Sequence, residues 1–136
     1  MSGGWRRELG RFCIVGTVGF VVDSALTLLL VGAGGLSPLV ARVLAFLVAA
    51  TVTWWLNRRF TFAGGARGGL GRWALYVAST TLGAAINVGV YALWVARFGD
   101  AAHSLVAGIA LGSGAALVVN FLLSKHLVFA PPGRLS

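Results

Sequence analysis

The stretch FCIVGTVGFVVDSALTLLLV, residues 12–31, decides the fold. It is apolar all round, with Asp23 as its one charged residue, and a helix needs about 20 predominantly apolar residues to cross a bilayer. Arg6, Arg7 and Arg11 precede it, as basic residues precede the apolar core of a signal peptide. Its length, its Asp23 and the lack of a cleavage motif before the next apolar run mark it instead as a retained span.

Three more stretches qualify: 39–56 with Arg42 near its start, 73–96 and 105–127. Breakers separate them, Gly32, Gly34, Gly35, Ser37 and Pro38 after the first, then Gly64, Gly65, Gly68, Gly69 and Gly71 after the second. Pro131, Pro132 and Gly133 read as a frayed tail. The expected fold class is all-α: one polytopic membrane domain over 1–136 with four transmembrane helices. Composition agrees, because 58% of the 136 residues are hydrophobic and 10% charged, against roughly 25% charged in an average soluble domain. Eleven Lys and Arg face three acids, Glu8, Asp23 and Asp100, for a net charge of +8, so the expected polar partner is anionic, and in a membrane a phosphate head group comes before nucleic acid.

The basic residues also orient the chain. Arg6, Arg7, Arg11, Arg58, Arg59, Arg67, Arg72, Lys125 and Arg134 fall on one side of the four spans, while Arg97, balanced by Asp100, stands on the other. The expectation is a multi-pass protein of the inner (cytoplasmic) membrane with both termini cytoplasmic. For Arg67, Arg72 and Arg134 this anchoring accounts for the charge completely. Trp5, Trp54, Trp55, Trp73 and Trp94 all lie near span ends, where amphipathic rings favour the interface.

The chain repeats itself. At an offset of 64, Thr17, Gly19 and Asp23 fall on Thr81, Gly83 and Asn87; at an offset of 67, Ala41, Ala45, Ala49, Thr53 and Asn57 fall on Gly108, Gly112, Ala116, Asn120 and Ser124, and Arg58, Arg59 and Phe62 on Lys125, His126 and Phe129. Each unit holds two spans, so the expected arrangement is two parallel two-helix repeats about an axis along the membrane normal. Small residues at every fourth position are expected to bring helix backbones close together.

Asp23 stands near the middle of its span, where an unpaired charge costs several kcal/mol, so it is expected to point inward. Gly16, Gly19, Asp23 and Thr27 share one stripe, Thr80, Gly83, Asn87 and Tyr91 the corresponding stripe of the third span, and together they would line a polar cleft. Arg42 enters the second span at a depth that differs from that of Asp23 by about 7 Å, at 1.5 Å per residue, within reach of an Arg side chain. An Asp23–Arg42 ion pair follows. At the inner face Asn57, Arg58 and Arg59 end the second span and Ser124, Lys125 and His126 the fourth, and the repeat is expected to bring these cationic ends together to bind an anionic lipid head group. Three dispersed acids cannot supply a two-carboxylate active site, His103 and His126 lie on opposite expected sides, and Cys13 has no partner for a disulfide. No catalytic residue, metal or cofactor is expected.

The segment from Arg11 to Gly19 with Asp23 following, the second-span exit from Trp55 to Phe62, and the fourth-span exit from Asn120 and Phe121 through Lys125 to Phe129 resemble the GtrA family over about 11–130. The Asn-Arg-x-x-Thr-Phe pattern at Asn57 is the most specific piece. The fourth-span exit departs from it, reading Ser124-Lys125-His126 in place of a second Asn-Arg. The resemblance implies a four-helix membrane protein of cell-surface polysaccharide synthesis that moves a polyprenyl-phosphate-linked sugar to the outer leaflet, with Asp23, Asn57, Arg58, Asn120 and Lys125 at the family's motif positions. In that role Arg58, Arg59 and Lys125 would capture the phosphate, Asp23, Asn87, Asn120, Thr53 and Thr81 would hydrogen-bond the sugar, and Arg42 would meet the phosphate near the outer side. Four helices make a thin wall, so a homo-oligomer is expected, and a glycosyltransferase of the same pathway is the expected protein partner. The rival roles are an accessory subunit that recruits or activates such an enzyme, and a proton-coupled exporter of small cations, against which the net charge of +8 argues.

Overall fold

A computed structural model describes residues 2–63, 68–131 and 133. The described chain is helical throughout, with no strand among the described residues: α1 (Ser2–Gly32), α2 (Pro38–Leu56), α3 (Leu70–Phe98) and α4 (Ala102–Leu123). All four are long and apolar enough to cross a membrane. The basic Arg67 and Arg134, and the breakers Gly64, Gly65 and Pro132, lie outside the described residues.

Local signals set the start of α2 and the end of α3. The Ser37 hydroxyl accepts a hydrogen bond from the Val40 amide and Pro38 opens α2, where its missing N–H is no loss. Gly99 closes α3 with φ of 85°, a conformation that favours glycine. α1 begins well before the apolar run and spans 31 residues, about 46 Å at 1.5 Å per residue against a hydrocarbon core of about 30 Å. Tertiary contacts hold the extra turns. Leu9 packs on an aromatic cluster, Glu8 is ion-paired with Lys125, and Arg11 donates to the Phe60 carbonyl at 3.0 Å.

The bundle is inverted relative to a water-soluble one. Large apolar side chains face outward, among them Phe20, Leu28, Leu39 and Leu93, while Thr53, Asn57, Thr61, Ser79, Ser104 and Ser124 are buried. That is the distribution a hydrocarbon surround favours, because lipid offers polar groups no partners. α1 packs chiefly on α2, and α3 on α4. The small-residue stripes lie in these contacts: Ala41, Ala45 and Ala49 of α2 and Gly108, Gly112 and Ala116 of α4 are buried. A Cβ on Gly19 would strike the Thr53 side chain, and one on Gly83 would strike Asn120.

α2 and α4 each leave the bundle through a π-turn, Asn57–Thr61 and Ser124–Val128. The Phe62 amide donates to the Asn57 carbonyl, and the Phe129 amide to the Ser124 carbonyl, both at 2.8 Å. In an α-helix Phe62 would stand about 140° around the axis from Asn57, at 3.6 residues per turn. The wider turn places it over Asn57, so both face inward. Phe62 and Phe129 then stack at 5.1 Å between centroids, with Phe12, Phe121, Tyr76 and Val128 completing the core.

Gly112→Ala should destabilise the protein by about 1–3 kcal/mol, the usual cost of overpacking, because the added Cβ meets the Asn87 carbonyl oxygen at 2.5 Å, a backbone atom that cannot swing aside. Gly89→Ala, which meets nothing within 4 Å, should show no such loss. Thermal unfolding of the two variants in detergent checks both.

Candidate functional site

Asp23 and Arg42 form the ion pair that their depths predict, Nη1 to Oδ2 at 2.7 Å. The Arg42 side chain is 60% exposed and that of Asp23 only 15%, so the pair joins the flank of the bundle to its interior. The second carboxylate oxygen of Asp23, Oδ1, is buried without a hydrogen-bond partner. Asp23 lines a cleft of about 240 Å³ to which all four helices contribute. Asp23, Thr53, Asn57, Tyr76, Thr80 and Asn120 supply the cleft's polar wall, with Phe12, Phe20, Phe46 and Leu117 around them. Asn120 Oδ1 is likewise buried and unpartnered. Asn120 Oδ1 is turned to the bare backbone of Gly83 on α3, so it is enclosed by the helix contact that forms this wall of the cleft.

The floor of the cleft is a closed network. The Asn57 amide nitrogen donates to the Tyr76 hydroxyl at 3.1 Å, the Tyr76 hydroxyl donates to Thr53 Oγ1 at 3.0 Å, and the Thr61 hydroxyl donates to Asn57 Oδ1 at 2.8 Å. Asn57 is 1% exposed, so its side chain holds Tyr76 and the first π-turn in place. Tyr76 has no part in the motif resemblance. Its signal in the sequence is chemical: a tyrosine inside a span needs a partner for its hydroxyl.

The third-span stripe contributes less than its spacing suggests. Asn87 does not line the cleft; it lies against Gly112, and Tyr91 against Gly108. Thr81 is exposed and its hydroxyl donates back to the Val77 carbonyl at 2.8 Å, whereas its neighbour Thr80 lines the cleft. Small residues on α4 let α3 close on it, so Asn87 packs against Gly112 and away from the cleft.

The two basic exits meet through their phenylalanines and not through their charges. Arg58 lies over the Trp54 ring and Arg59 over Trp55, each 5.7 Å from the centroid, and Trp55, Arg58 and Arg59 line a surface hollow. Lys125 turns to Glu8 on α1. Arg72 does more than anchor a helix end, since it donates to the Leu127 and Val128 carbonyls at 2.5 and 3.0 Å. Arg11 serves the first exit in the same way through Phe60. These carbonyls lie in the last turn of each exit, where a helix end leaves them without intrahelical donors, and in lipid such groups need another partner.

A family model described as GtrA/DPMS, transmembrane domain, matches residues 11–129. The chain belongs to that family. The match begins on the arginine that braces the first exit and ends on the phenylalanine that stacks on Phe62. Membership makes this GtrA/DPMS chain a multi-pass membrane protein of polysaccharide or glycosylation pathways.

Tyr76→Phe should lower the stability of this GtrA/DPMS domain by about 1–3 kcal/mol, because the buried Asn57 donor loses its acceptor. Denaturation in detergent checks this, with Tyr91→Phe as the comparison.

Proposed function

We propose that this GtrA/DPMS domain flips a polyprenyl-phosphate-linked sugar across the inner (cytoplasmic) membrane for cell-surface polysaccharide synthesis or glycosylation, without covalent chemistry. The polar cleft among the membrane-spanning helices, walled by Asp23, Thr53, Thr80 and Asn120, carries the proposal. Flipping is slow because a phosphate and several hydroxyls must traverse hydrocarbon, where each unsatisfied polar group costs several kcal/mol. Acceptors such as Asp23 Oδ1 suit sugar hydroxyls, which donate, and disfavour a phosphate, which accepts. The sugar therefore occupies the cleft against Asp23, Thr53, Thr80 and Asn120, and the phosphate remains with cations outside it.

Arg58 and Arg59 receive the phosphate at the end of the bundle that bears both termini, the cytoplasmic end by the basic count, and Lys125 joins them on releasing Glu8. Arg42, largely exposed beside Asp23, receives the phosphate toward the other face. A cleft of about 240 Å³ is smaller than the roughly 300–1,000 Å³ of sites that enclose a whole ligand. It suits a head group whose chain stays in lipid, with a second copy of the domain completing the wall and a glycosyltransferase using the product.

The test is transport of a fluorescent polyprenyl-phosphate glucose in vesicles reconstituted with the purified protein. Asp23→Ala and Arg58→Ala should each slow flipping roughly ten- to hundredfold, the loss of one charge-assisted hydrogen bond. Wild-type rates in both variants would remove these residues from the mechanism, and no transport by the wild type would remove the activity. Stimulation of a polyprenyl-phosphate glycosyltransferase in detergent, where leaflets no longer exist, would favour the accessory role instead.

A further inference from the structure

We infer that the seam between α1 and α4 is the lateral entrance to the cleft and that a polyprenyl chain lies in it while the head group it carries occupies the cleft. The inference rests on the flipping role and adds where the lipid enters. Of the helix pairs that touch, α1 and α4 touch least, so two tight pairs meet along a loosely filled line. A groove of about 350 Å³ runs there, lined by Cys13, Gly16, Thr17 and Phe20 of α1 and by Ser113 and Leu117 of α4. Gly16, Phe20 and Leu117 also line the polar cleft. Groove and cleft therefore share a wall, and the head group can pass between them without crossing a packed helix contact.

The lining suits a hydrocarbon chain. Phe20 is 70% exposed, Leu117 faces it across the seam, and the Thr17 hydroxyl is spent on the Cys13 carbonyl at 3.0 Å. Gly16 lines both the groove and the cleft. Cβ atoms placed on Gly19, Gly83, Gly108 or Gly112 would meet a neighbouring helix, which is why those glycines are there; one placed on Gly16 meets nothing within 4 Å. A mid-helix glycine is less favourable than alanine by about 1 kcal/mol, and here no close helix contact offsets that. What Gly16 keeps is space, at the point where groove and cleft join.

A polyprenyl phosphate with a diazirine in its isoprenoid chain, photolysed in vesicles containing the full protein, tests the inference by peptide mapping. Labels should concentrate on 13–20 and 113–117. Gly16→Leu, which fills the junction, should reduce both labelling and flipping several-fold, whereas Gly89→Leu, which adds the same bulk where nothing lies within 4 Å, should change neither. A seam left unlabelled while the wild type flips would overturn the entrance and leave the flipping role standing. A labelled seam in a wild type that flips nothing would uphold the lipid groove and end the flipping role. Should Gly16→Leu fail to fold, the wild-type labelling pattern decides. Efficient crosslinking of Cys13 between copies by a short bismaleimide would show a second chain in the seam and overturn the lipid as its occupant.

Discussion

Hydrocarbon gives helices no hydrophobic reason to associate, so a membrane bundle this small depends on how closely its backbones approach. In this protein Gly112 lets α3 and α4 approach backbone to backbone, and at two further places Gly19 admits Thr53 and Gly83 admits Asn120. The latter two contacts bring a polar side chain of one helix against the bare backbone of its partner. Packing and polarity are therefore not separate tasks here. The residues that hold α1 to α2 and α3 to α4 are neighbours of, or members of, the cleft wall, and Thr53 also receives the Tyr76 hydroxyl. Disturbing the helix contacts disturbs the cleft.

Much of this was legible in the sequence because hydrocarbon imposes simple rules. Length and polarity gave four spans, and the 1.5 Å rise per residue placed Arg42 within reach of Asp23. The fourfold spacing of small residues marked the faces that are buried. What escaped depends on angular register. A π-turn needs one changed hydrogen bond, which no composition announces, and it turns Phe62 and Phe129 inward to form the junction that charge counting assigned to Arg58 and Lys125. Asn87 escaped for a different reason. Its alignment with Asp23 is sound as sequence, yet Gly112 lets α3 close over it. Glu8 and Arg11 belong to turns that extend beyond the apolar run, where hydropathy says nothing about helical structure.

The two halves of the chain consequently differ in use. Asp23 is charged and reaches Arg42, while Asn87 is neutral and packed against α4. Asn57 is bound into a network with Tyr76 and Thr61, while the hydroxyl of Ser124, its counterpart by position, is buried without a hydrogen-bond partner. A cleft built from one half's acid and the other half's Tyr76, Thr80 and Asn120 needs both halves, and neither alone could enclose it.

The π-turns carry one more implication. A π-turn is an α-helical turn with one residue more than it needs, so each exit can be viewed as an ordinary helix end that has accepted a single insertion. Straightening the turn to an α-helix with its residues kept would carry Phe62 about 140° from Asn57 and away from Phe129, whereas a chain one residue shorter between Asn57 and Phe62 would hold the same inward face with an ordinary α-helical turn. Relatives can therefore keep the cleft floor with either kind of helix end. A gap at one of these two turns marks a change of helix type, and what decides the floor is whether the phenylalanine still falls over the residue at the start of the exit.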